Sequence, residues 1–115
     1  MIAIKRIYDK PNSNDGYRIL VDRLWPRGVK KEYAMLNEWN KTIAPSTELR
    51  KWFAHKSENF KQFSELYIVE LNEHKEELSR IKNISKSENL TLLYAAKNPL
   101  INHALVLLNV LKSIH

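Results

Sequence analysis

Two short stretches of this chain carry side chains able to do chemistry. The first is Asp22-Arg23-Leu24-Trp25-Pro26-Arg27-Gly28. Asp22 offers a carboxylate for proton transfer or hydrogen bonding, and Arg23 beside it a guanidinium for an anion. Trp25, Pro26 and Arg27 join a stiff aromatic, a fixed backbone and a second guanidinium. Such a loop can stack a planar ligand and clamp its phosphate. The second stretch holds Lys97, Asn102 and His103. His103 is a candidate acid or base, Lys97 a point charge, and Asn102 a group that orients a ligand. Asp22 and His103 are therefore the candidate catalytic pair. Arg23, Trp25, Arg27, Lys97 and Asn102 are the candidate ligand contacts. A structural role competes at each position: Trp25 as core, Arg23 as an ion-pair partner, Asn102 as a helix cap. His55, His74 and His115 share no metal-binding spacing with His103, so no metal site is expected.

The surrounding elements must bring these stretches together. Ile2, Ile4 and Ile7 mark a first strand over 2–7, followed by a polar turn ending at Gly16. Ile19-Leu20-Val21 is a continuous apolar run, expected of a buried central strand over 17–22. Residues 31–40 read as weakly helical, with Leu36 and Trp39 inward. Ser46 is placed to cap a helix over 47–55, on which Arg50 reads as an anion contact or, more commonly for such a position, a solvated charge. Ser57 is expected to cap a longer helix over 58–80, whose stripe is Phe60, Phe63, Tyr67, Leu71 and Leu78. Residues 90–96 form another buried strand. Asn98 and Pro99 are expected to open a final helix over 100–113. Strands that feed helices through polar turns predict an α/β fold: a small, mostly parallel sheet packed by helices, a Rossmann-like layered single domain over 1–115. If the strands over 17–22 and 90–96 run parallel, both candidate stretches lie at their carboxyl ends, where open α/β sheets bind ligands. The start of the last helix adds free backbone N–H groups there.

Composition narrows the function classes. The chain has 115 residues, no cysteine and only two glycines. That excludes disulfide scaffolds, thiolate catalysis, cysteine-ligated metals and glycine-rich phosphate loops. The net charge of +6 is uneven, because five of the six arginines precede residue 56. A basic half favours an anionic partner. An anionic small molecule, phosphate-bearing or nucleotide-like, is the expected ligand, with or without turnover. A nucleic-acid-binding or adaptor module is the alternative, and the arginines argue against it by sitting in turns with aromatics and acids. No apolar run is long enough to span a bilayer, so a cytoplasmic protein without membrane contact is expected. No cofactor and no oligomeric state follow from these features.

Three blocks, taken together, carry a family resemblance. They are Asp15-Gly16-Tyr17-Arg18 with Val21 through Gly28, Ala44-Pro45-Ser46 with Leu49 through Phe53 and His55, and Thr91 through Lys97 with Asn102-His103-Ala104. In this order, over nearly the whole chain, they resemble the YeaO-like branch of the bacterial domain of unknown function 488. The resemblance implies a small α/β domain without an established reaction. Other branches carry cysteines near the positions of Tyr94-Ala95-Ala96 and Asn102-His103-Ala104. Their absence here means no thiol chemistry carries over.

Overall fold

The computed structural model describes residues 1–114. Four strands form one all-parallel sheet: β1 (Ile2–Arg6), β2 (Tyr17–Leu20), β3 (Glu38–Trp39) and β4 (Leu90–Tyr94), in the order β1-β4-β2-β3. Five helices accompany it: α1 (Lys31–Ala34), α2 (Thr47–Phe53), α3 (Phe60–Leu71), α4 (Lys75–Ser87) and α5 (His103–Lys112). The architecture is the expected α/β class. The pairing on which the site depends is present, because Tyr17 to Leu20 run alongside Leu90 to Leu93 in the same direction.

Strand alternation sorts the side chains into two cores. Ile19, Val21, Leu90, Leu92 and Tyr94 face the main core, which α2, α3, α4 and α5 fill with Phe53, Phe63, Tyr67, Ile81 and Leu107. Leu20 and Leu93 face the other side, where Ile7, Ala34, Trp25, Val29, Leu36 and Trp39 form a smaller cluster. The chain leaving β2 thus covers one face, and the chain leaving β4 turns into α5 on the other. A crevice opens where they part. On the smaller-core side, buried Arg18 donates to the carbonyls of Ala34 and Met35 and pairs with Asp15, a structural role.

Three expected elements differ. Residues 31–40 are not one helix. α1 ends after one turn at Met35, whose φ of +49° is left-handed, and β3 follows. Asn37 locks that register by accepting from Arg18 N–H and donating to Arg18 C=O, both at 2.9 Å. The helix over 58–80 is two helices. Ser57 lies in a 3-10 turn instead of capping, and the polar run Asn72-Glu73-His74 forms a second such turn. No residue of that run serves the apolar stripe, and the bend redirects α4 so that Leu78 and Ile81 still reach the core. The final helix starts at His103. Asn98 accepts from Leu100 and Ile101 N–H in a local turn, while Asn102 is the cap that accepts from Leu105 N–H at 2.9 Å. Among the described residues no helix is long and apolar enough to cross a membrane.

Candidate functional site

The crevice at the carboxyl ends of β2 and β4 is a cleft of about 560 Å³. The two chain ends are stitched together before they diverge. Val21 N–H donates to Leu93 C=O at 3.0 Å, and Ala95 N–H donates to Asp22 Oδ2 at 3.0 Å. From the edge strand, Arg6 holds the carbonyls of Ala95 and Ala96, which fixes the turn out of β4. Asp22 thus sits at the floor, and Lys97 emerges exposed from the rim.

His103, the first residue of α5, closes the floor. Its Nε2 lies 2.9 Å from Asp22 Oδ1 and 3.0 Å from Val21 C=O. Both neighbours are acceptors, so Nε2 carries the ring proton. The N–H is directed at the carbonyl. Oδ1 therefore has the imidazole within ion-pairing distance but no well-aimed hydrogen bond of its own, although it is shut off from solvent. The edge of the Tyr67 ring lies against the imidazole, centroids 6.3 Å apart. Tyr67 is fully buried and donates to Ile43 C=O, and burial pushes its phenol well above the ordinary value, with Glu70 and Asp22 adding to the rise. The imidazole is thus held from two sides.

Five of the seven residues expected at the site line this cleft: Asp22, Arg23, Trp25, Lys97 and His103. Arg27 and Asn102 do not. Arg27 is exposed beyond the loop, where its carbonyl accepts from Tyr8 Oη at 2.8 Å. Asn102 is buried, and its amide serves both Leu105 N–H and Asn98 C=O, so its hydrogen-bonding capacity goes to the helix start. Trp25 has the core role and also lies in the cleft lining. Its ring packs edge-on against Trp39 and its Nε1 donates to Val29 C=O at 2.7 Å.

Arg23 has a prior commitment. Nε donates to Pro45 C=O at 2.9 Å, and Nη2 reaches the carbonyls of Lys41 and Ala44, both at 3.3 Å. It pins the loop before α2 and keeps only part of its donor fork for anything else. Two further cleft residues with ionisable side chains, Arg50 and His55, lay outside the seven candidates. Arg50 is half-buried and makes no side-chain hydrogen bond or ion pair among the described residues. His55 is brought round by two successive left-handed residues, Ala54 at φ +48° and His55 at φ +57°. The signal for both lay in the Leu49-to-His55 block of the family resemblance, whose helical spacing concealed that its end turns toward the strands.

Chemically, the cleft sets three basic side chains, Arg23, Arg50 and Lys97, against one carboxylate, with two imidazoles beside them. Leu24, Pro26, Pro45 and Ile101 supply apolar wall. No serine, threonine or tyrosine hydroxyl lines it. This lining can hold an anion and shuttle a proton, and it offers no hydroxyl or thiol nucleophile, only the carboxylate of Asp22, the amine of Lys97 and the two imidazoles. Among the described residues no group of three or more histidine or carboxylate side chains is placed to hold a metal.

A family model described as the inactive DUF488-N3 subclade matches residues 1–114. The protein named uncharacterized protein YeaO of Escherichia coli (strain K12) is 53% identical over 113 residues, which is 98% of both chains. Uncharacterized protein Rv3073c of Mycobacterium tuberculosis (strain ATCC 25618 / H37Rv) is 34% identical over 110 residues, 96% of this chain and 92% of that one. No solved structure matches the chain. The chain belongs to the domain of unknown function 488 family and is close to YeaO, as the motif blocks implied, and the family model places it within the inactive N3 subclade.

Proposed function

We propose that this member of the inactive DUF488-N3 subclade is a cytoplasmic domain that binds a phosphate-bearing small molecule in the cleft between β2 and β4, by recognition and not by covalent turnover. The observation that carries the reading is Arg50. A guanidinium withdrawn from much of its water, with no carboxylate or carbonyl partner among the described residues, is an unmet demand for an anion. Lys97 and the remaining donors of Arg23 add positive charge to the same space, and the first-turn N–H groups of α5 favour negative charge beside His103. The apolar wall of Leu24, Pro26 and Ile101 suits an organic body attached to that phosphate.

Asp22 and His103 keep the floor in register on this reading. They could pass a proton between them and a ligand, but the lining supplies no hydroxyl or thiol to attack one. The description of the subclade as inactive accords with binding alone.

The test is thermal stabilisation by inorganic phosphate, a sugar phosphate and a nucleoside monophosphate. A ligand at 100 times its Kd adds about 2.7 kcal/mol. At roughly 4 °C per kcal/mol for a chain of this length, melting rises by roughly 10 °C. Arg50→Ala should abolish that rise, Lys97→Ala should reduce it, and Arg27→Ala should leave it intact. A response from Arg50→Ala equal to the parent's, or no response to any of the three compounds, refutes the proposal.

A further inference from the structure

We propose that a second, separate groove on this protein docks single-stranded nucleic acid. It lies between the chain leaving β1 and the loop entering α1, has a volume of about 380 Å³, and is lined by Tyr8, Lys10, Lys30 and Tyr33 over a floor that includes Ile7 and Val29. The groove shares no residue with the phosphate cleft.

Two kinds of side chain converge there outside both cores. Tyr33 is 73% exposed and Tyr8 is 47% exposed, and neither ring belongs to either core. Large aromatics left in water beside a groove offer flat faces to a partner. Tyr8 is also held rigid: its hydroxyl donates to Arg27 C=O, and the Arg6 guanidinium lies 4.9 Å from the ring centroid. A ring already fixed loses little freedom when a base stacks on it. The second kind is cationic. Lys10 and Lys30 line the groove, and the exposed side chains of Arg27 and Lys31 are next to lining residues in the chain. None of the four forms an ion pair among the described residues. Asp9 in the lining and Glu32 beside it are the only opposing charges in these segments.

Interleaved tyrosines and lysines are the combination that single strands require, stacking for bases and charge for the backbone. A duplex keeps its base faces covered and would leave both rings unused. An acidic peptide would use the lysines and gain nothing particular from the rings.

Fluorescence anisotropy of a labelled twelve-nucleotide oligothymidylate, titrated with the full chain at several salt concentrations, tests this. Four phosphate contacts predict that log K falls with log salt at a slope of about −3. Tyr33→Ala should weaken binding roughly tenfold or more at an unchanged slope. The Lys10→Ala, Lys30→Ala pair should flatten the slope by about 1.4. Both changes are at surface positions, and circular dichroism verifies that the variants are folded. Arg50→Ala should bind the oligonucleotide like the parent, which separates this groove from the cleft. No binding at low salt, a Tyr33→Ala variant of undiminished affinity, or equal affinity for a duplex or for polyglutamate overturns the proposal.

Discussion

Replacing Asp22 with asparagine tests the polar junction at the floor of the cleft. The carboxylate is engaged at both ends: Oδ2 accepts from Ala95 N–H at 3.0 Å, and Oδ1, which has no hydrogen bond of its own, lies 2.9 Å from the His103 ring nitrogen. An amide has one oxygen to offer. Turned to satisfy Ala95, it points its NH₂ at Nε2, and donor meets donor. Flipped, it moves the same conflict to Ala95. Shifting the ring proton to Nδ1 does not help, because the Nε2 lone pair then faces Val21 C=O only 3.0 Å away. In every arrangement a largely buried polar group is set against a like group, donor on donor or acceptor on acceptor, which costs about 1–3 kcal/mol. At roughly 4 °C per kcal/mol, melting should fall by about 4–12 °C. The assay is thermal melting by circular dichroism at about pH 8.5, above the ordinary range of imidazole titration. Proton–nitrogen correlation of the histidine rings accompanies it. The parent should show a slowly exchanging Nε2–H on His103, and the variant should lose it. A variant that melts with the parent, or a parent whose His103 carries its proton on Nδ1, refutes the reasoning.

Two further outcomes concern the frame around the cleft. Burial pushes the Asp15 carboxyl up, but Asn12 N–H, Lys5 and Arg18 outweigh it; burial likewise pushes Glu38 up, and Arg80, Asn40 and Tyr17 outweigh that. Both carboxyls are held below their ordinary values, so the unfolded chain binds more protons in acid. Their stabilisation is complete above the unfolded carboxylate pKa of about 4 and is lost as pH falls through the lower folded values. Melting temperature should therefore drop below about pH 5, and Asp15→Asn, less stable at neutral pH, should approach the parent as pH falls; a gap that stays constant to about pH 3 would contradict this. The two glycines should respond unequally to alanine. At Gly28, with φ +79° and nothing within 4 Å of the added carbon, the change costs only the left-handed strain of about 1–2 kcal/mol. At Gly16, with φ +65°, the added carbon would lie 2.2 Å from Asn89 C=O, so the start of β2 must move away from β4. Thermal melts that rank the two changes equally would show that this contact is not tight.

What could be read in the sequence was the part dictated by periodicity. Ile19 to Val21 is apolar without a break and Leu90 to Tyr94 is interrupted only by Thr91, a pattern that requires cover on both faces, and both proved to be interior strands running in parallel. The site followed from that alone, since parallel neighbours bring their exits together. The elements that resisted reading were settled by distant partners. Glu38-Trp39 has no strand pattern of its own. It pairs with β2 because Asn37 hydrogen-bonds Arg18, Trp39 Nε1 donates to Asp22 C=O at 2.7 Å, and Arg80 from α4 neutralises Glu38. No local window contains those residues together. The break at Asn72 to His74 is the converse case, where every residue tolerates helix and only the position of the core makes a bend the better solution.

The arginines follow the same logic with a consequence for function. A guanidinium carries five donors in a fixed fork and satisfies whatever acceptors lie nearest. In a chain with short strands and many turns, the nearest acceptors are turn carbonyls that no ladder has used. Arg6, Arg18 and Arg23 all serve such carbonyls, at Ala95 and Ala96, at Ala34 and Met35, and at Lys41, Ala44 and Pro45. Proximity to a strand end, which made Arg23 the natural anchor on sequence grounds, is the very circumstance that commits it elsewhere. Arg50 escapes because α2 meets its own carbonyl needs internally and its last turn closes on Ala54 N–H. Of the two cleft arginines, the one on a regular helix, facing a gap between loops, is therefore the one with donors to spare, and a ligand that needs a bidentate partner has more to gain from Arg50 than from Arg23.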